Sequence, residues 1–182
     1  TESFSLITSF VSDDYFGMMD SNEGTMSNNN KLDIAVGRIL VENTQRAKEM
    51  VDKIESYYLP ENYGSWRNNF LLISDDVDKE SDQIIQSTTE EIAEDVKAEK
   101  PFLNVQKIHA DSYVQETSSG GARYTLVNKA IFDALEVGAI VVNYFGHGGE
   151  DGLAVERIFD KINAQELNNP SKLNCFVTVT CE

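Results

Sequence analysis

From residue 70 onward, short unbroken apolar runs alternate with longer stretches whose apolar residues recur at helical spacing. The runs are 70–74, 104–108, 139–144 and 175–180, and the helical stretches are 81–99, 124–135 and a short one at 163–167. Such runs lack the every-other-residue polarity of a half-exposed strand, so they read as strands covered on both sides. Strand and helix in alternation predict an α/β fold, a mostly parallel sheet with helices on both faces. The 81–99 helix is expected to turn Ile84, Ile85, Ile92 and Val96 inward. The 124–135 helix should bury Leu126, Val127, Ala130, Ile131 and Leu135.

Upstream, 33–38 reads as a short apolar strand, and Asn43 or Thr44 can cap a helix carrying Ala47, Val51, Ile54 and Tyr58 on one face. Pro60 and Gly64 break the chain over 60–65. A boundary there makes 1–62 the C-terminal part of a first α/β subdomain and 63–182 a second. The first thirty residues are polar; Asp20, Ser21, Asn22, Glu23 and Gly24, followed by Asn28, Asn29 and Asn30, read as loop. An EF-hand places Gly sixth and Glu twelfth. Here Gly24 is fifth and Lys31 twelfth, which favours a solvated surface loop.

Hydrophobic residues make up 41% of the 182 and charged residues 25%, enough to build one ordinary core. Fifteen Lys and Arg stand against thirty-one Asp and Glu, leaving a net charge of −16. A surface so acidic repels nucleic-acid phosphates and anionic lipid, which excludes DNA or RNA binding as the main function. Cations and basic peptides remain plausible partners. No apolar run approaches the ~20 residues that span a bilayer.

Cys175 and Cys181 lie six apart in what reads as one strand. Their Cα atoms would then sit roughly 20 Å apart, against the ~7 Å limit for a disulfide, so Cys181 is expected to be a free thiol. The chain begins at Thr1, shows no signal peptide and stops straight after an apolar strand, the pattern expected of a fragment of a larger chain.

Parallel strands with right-handed crossovers bring their C-terminal ends to one edge of the sheet, where ligands of open α/β folds bind. Three features land there. Asp75 and Asp76 follow the 70–74 strand; they read as a polar turn before a helix, or as a pair that could hold a divalent cation. Gly146, His147, Gly148, Gly149, Glu150, Asp151 and Gly152 follow the 139–144 strand. They do not make a phosphate loop: Asp151 stands where G-x-G-x-x-G needs glycine, and the Walker lysine is missing. The His-Gly-Gly piece is like a lipase oxyanion loop, but the chain has no G-x-S-x-G elbow.

The third feature is Cys181 itself, at the end of the 175–180 strand. If the last two strands are neighbours about 4.8 Å apart, His147 and Cys181 emerge side by side. An imidazole beside a thiol generates the thiolate nucleophile. The glycines around His147 would let a backbone N–H point into the site. Taken singly, His147 reads rather as a loop histidine and Cys181 as a small buried core residue. His109, with no glycine frame, reads as structural.

The run from Val141 to Glu150 (V-V-N-Y-F-G-H-G-G-E), with a strand ending in Cys181 thirty-four positions after His147, resembles the gingipain family of cysteine peptidases. Asp33-Ile34-Ala35-Val36-Gly37-Arg38 followed by a helix is similar to that family too. The resemblance implies a caspase-like three-layer sandwich in which His147 is general base and acid and Cys181 the nucleophile. It further implies an oxyanion hole formed by the backbone N–H groups of Gly148 and Cys181. No cofactor is implied beyond structural calcium.

The likeness is strongest to the branch that serves type IX secretion. Such proteins remove C-terminal sorting domains from secreted cargo at the outer surface of Bacteroidetes-type bacteria, beside outer-membrane secretion components. They also transfer the cargo to an anionic lipopolysaccharide. Family members continue past the nucleophile with further sheet and substrate-pocket loops, so a chain ending at 182 is expected to be truncated and could be inactive alone. No residue is matched to an acid orienting His147; Glu150 and Asp151 are merely near it in sequence.

Overall fold

The computed structural model describes residues 12–24 and 30–180. Asn28, Asn29 and Cys181 of the residues named above lie outside that range. The chain divides into two compact units, Thr1–Asp52 and Lys53–Glu182.

In the first unit the described backbone is mostly irregular. Residues 33–38, expected to be a strand, are not one: no strand among the described residues pairs with them. A strand needs a ladder partner to satisfy its peptide groups. Here the segment is tied locally instead, with the Asp33 N–H donating to Gly17 O at 2.9 Å and Arg38 paired with Asp13. Helix α1 (Thr44–Tyr57), whose residues run past the division at Asp52, begins where Asn43 allows it, because Asn43 Oδ1 accepts the Arg46 N–H at 2.9 Å. None of its residues is buried, and Val51, Ile54 and Tyr58 are exposed.

The second unit is an α/β sandwich. In chain order it contains β1 (Asn69–Ser74), α2 (Gln83–Glu99), β2 (Asn104–His109), β3 (Glu116–Ser118), β4 (Gly121–Arg123), α3 (Thr125–Val137), β5 (Val141–Phe145), β6 (Gly148–Gly149), β7 (Gly152–Leu153), α4 (Lys161–Glu166) and β8 (Cys175–Val179). Strands β2, β1, β5 and β8 form one sheet in that order, parallel throughout. Hairpins β3–β4 and β6–β7 lie outside it.

Alternation along β1 sorts its side chains. Leu71 and Ile73 join Val142, Tyr144 and Ile108 of the neighbouring strands in a core closed by Val127, Ile131, Ala134 and Leu135 of α3. Leu72 is equally buried but points the other way, to the face where α2 packs on β1 and β2. The two helices thus cover opposite faces. Helix α2 buries Ile85, Thr89 and Ala93, spaced four apart, and Ile84 is exposed. Leu126 of α3 is exposed as well. Helix α4 starts two residues earlier than its apolar pattern suggests, because Asp160 caps it: Asp160 Oδ1 accepts the N–H groups of Ile162 and Asn163, and Asn163 Oδ1 accepts that of Asp160.

One expectation fails at the margin. Strand β8 is exposed along its whole length, Cys175 included, where the apolar sequence suggested cover on both sides. It lies at the end of the sheet with β5 as its one partner among the described residues.

Candidate active site

His147 follows β5 by two residues, at the C-terminal edge of the sheet, and its side chain is 41% exposed. Its backbone is fixed on both sides. The peptide N–H donates to Asp75 Oδ2 at 2.8 Å, and the carbonyl accepts the Ala154 N–H at 2.8 Å and the Tyr144 hydroxyl. Asp75 sits at the end of β1, the strand beside β5, and its own N–H donates to Phe145 O at 3.1 Å. Gly146 permits this convergence: a Cβ there would meet Asp75 Cβ at 2.4 Å and the Tyr144 hydroxyl at 2.5 Å. Gly148 is likewise needed for close approach, since its Cβ would lie 2.7 Å from Thr180 Oγ1, one residue past β8.

The imidazole has an acidic neighbour that sequence spacing did not reveal. His147 Nε2 lies 3.6 Å from Asp82 Oδ1, and Asp82 is buried ahead of α2. Burial works against ionising Asp82, but Ser81 Oγ, the Lys79 N–H and the imidazole together hold its carboxyl below the ordinary carboxylate range. Asp151, near in sequence, pairs instead with Arg157 at 2.6 Å. His109 is structural as expected, bridging Ser74 Oγ at 2.6 Å and Glu90 Oε1 at 2.8 Å.

Beneath His147 lies a buried acidic cluster. Asp75, Asp76 and Glu156 each place one carboxylate oxygen within 4.8 Å of the others. Burial pushes Asp75 up to about 6, against two backbone N–H donors and with the Asp76 carboxylate adding to the rise. Burial raises Glu156 too. The Tyr144 and Tyr124 hydroxyls are also raised, by burial and by the aspartates they donate to.

Hairpin β6–β7 stands between two open cavities of about 320 Å³ each. One is lined by His147, Gly148, Val155 and Arg157, and the other by Leu153, Phe159, Lys161 and Phe176. The glycines here have the composition of a loop, yet they form a hairpin closed by the two-residue Glu150–Asp151 turn.

Of the three residues expected to act, the described chain thus contains His147 and Gly148, on one rim. The neighbouring strands are in a definite register, with Phe145 beside Val179 and the Gly146 N–H donating to Val179 O at 3.2 Å.

A parallel α/β sandwich carrying a glycine-framed histidine at its sheet edge matches a known class. The model of peptidase family C25 matches residues 2–182, and the chain belongs to that family. The crystal structure of the Arg-specific cysteine proteinase gingipain R (RGPB) superposes with a TM-score of 0.67 at 20% identity. The match covers 93% of this chain and 35% of that one, so the chain spans about a third of the gingipain R structure. A search of curated proteins returned no match. No described helix is long and apolar enough to cross a membrane.

Proposed function

We propose that the chain carries the catalytic core of a cysteine peptidase, with Cys181 as nucleophile and His147 as its general base and acid. The observation that supports this most is the register of β5 and β8. Phe145 pairs with Val179, and His147 and Cys181 follow those two residues by the same two positions, in a member of a peptidase family. In this reading the imidazole takes the thiol proton and the thiolate attacks the scissile carbonyl. The backbone N–H groups of Gly148 and Cys181 stabilise the oxyanion. His147 then returns its proton to the departing amine as the C–N bond breaks, leaving a thioester. Water or a second amine resolves it. Asp82, facing Nε2, holds the imidazolium in place and leaves Nδ1 to exchange the proton with sulfur.

The finer reading is a PorU-like sortase of type IX secretion. It is supported by resemblance alone, over Phe10-Val11-Ser12-Asp13-Asp14-Tyr15-Phe16-Gly17, residues 144–154 and residues 176–182. Its substrates would be secreted proteins with C-terminal sorting domains, and its location the outer face of the outer membrane, beside the secretion components. A general gingipain-like endopeptidase is the alternative within the family. Cys181→Ala should abolish processing of such cargo while circular dichroism stays unchanged; undiminished processing would overturn the peptidase reading. Cleavage of generic peptides as fast as sorting-domain cargo would favour the endopeptidase.

A further inference from the structure

The cluster beneath His147 has a feature that an ordinary group of acids lacks. Asp75, Asp76 and Glu156 are only 1%, 5% and 5% exposed. Asp75 Oδ2 accepts from His147 N–H and the Tyr144 hydroxyl, Asp76 Oδ2 from the Tyr124 hydroxyl at 3.0 Å, and Glu156 Oε1 from Gln115 Nε2 at 3.3 Å. Glu156 Oε2 is buried and has no hydrogen-bond partner. A buried carboxylate oxygen without a partner is unfavourable unless something positive meets it. The chain nevertheless holds Glu156 there through two non-glycine residues with left-handed backbone, Ala154 (φ 62) and Arg157 (φ 56), on either side of it.

The spacing suits one kind of occupant. A calcium ion binds oxygens at ~2.3–2.6 Å, so two of its ligands are at most about 5 Å apart. The three carboxylate oxygens, all within 4.8 Å of one another, meet that limit. Hard oxygen donors select Ca²⁺ or Mg²⁺ over soft metals. We infer that Asp75, Asp76 and Glu156 form a binding site for a hard divalent cation, which joins the end of β1 to the 154–157 turn directly under the His147 backbone. Asp75 would be shared, one oxygen toward the ion and one toward the His147 N–H. The inference does not depend on Cys181 or on peptidase activity, so it can fail while the catalytic reading survives.

Calorimetry and thermal melts of the 182-residue chain, in EDTA, in Ca²⁺ and in Mg²⁺, test it. One equivalent should bind, raising the melting temperature by several degrees at about 100 times the dissociation constant. Glu156→Gln should abolish that rise and melt no lower than the parent chain in EDTA, since it removes an unpaired buried charge. Glu91→Gln, on the exposed face of α2, should keep the rise. Terbium luminescence sensitised by Tyr124, and weakened in Tyr124→Phe, gives a second readout that leaves the carboxylates intact. Absence of binding by either cation, or binding that Glu156→Gln leaves unchanged, would overturn the site.

Discussion

Asp75 Oδ2 accepts the His147 backbone N–H at 2.8 Å, a bond that joins residues 72 positions apart. It exists because β1 and β5 are parallel neighbours whose C-terminal ends arrive together, with Ser74 beside Phe145. The histidine is thus held by its main chain, and its ring remains partly exposed at the surface. Gly146 makes the approach possible. Gly146→Ala should destabilise the fold by about 1–3 kcal/mol, since the added methyl meets Asp75 Cβ at 2.4 Å. Gly149→Ala, with nothing within 4 Å of its Cβ, should stay within about 0.5 kcal/mol. Urea unfolding of the two variants checks the contrast.

Asp82 carries a two-part prediction. If it holds the imidazolium of the proposed peptidase, Asp82→Asn should lower kcat roughly 10- to 100-fold with little change in KM. Its effect on stability has a definite sign. A carboxyl held below its ordinary value stabilises the fold above the unfolded value, and that contribution is lost as pH falls through the folded value. The melting temperature of the parent chain should therefore drop between about pH 5 and pH 3 more steeply than that of Asp82→Asn. Parallel curves would remove Asp82 from this role.

The register of α2 is testable by truncation. Ile85 is 5% exposed and Ile84 is 60% exposed, although both belong to one apolar pair. Ile85→Ala should cost about 2–4 kcal/mol and Ile84→Ala about 0.5 kcal/mol or less. Denaturant midpoints at equal slope would show it.

Thiol labelling separates the two cysteines. Cys175 is exposed, so iodoacetamide can reach it. The proposed dyad makes Cys181 the thiol that reacts near pH 6, and His147→Ala should remove that fast phase while sparing Cys175. Mass spectrometry of the modified peptides assigns each rate, and equal slow labelling of both would count against the dyad.

Much of the architecture was legible because period and polarity carry it. The four sheet strands and three of the helices read directly from runs such as 70–74 and from helical spacing such as Val127, Ile131 and Leu135. The failures share a cause: each depends on partners distant in sequence. Residues 33–38 have strand composition but no ladder among the described residues. Ile84 and Ile85 are indistinguishable by composition, and the sheet decides which is buried. At the site, the motif around His147 was legible, since glycines flanking a histidine after a strand form a local pattern. Asp82 and Glu156 were not, because the contacts that matter to them cross from the start of α2 and from the 154–157 turn.

Strand β8 has one more consequence. Its outer side offers a row of amide and carbonyl groups without a ladder among the described residues, flanked by exposed Phe176, Val177 and Val179. Such a rim invites another chain to zip on. Near neutral pH the net charge of −16 should oppose such contact between copies. Acidifying toward the isoelectric point of about 4.4 switches off that repulsion, and light scattering should then report the onset of self-association.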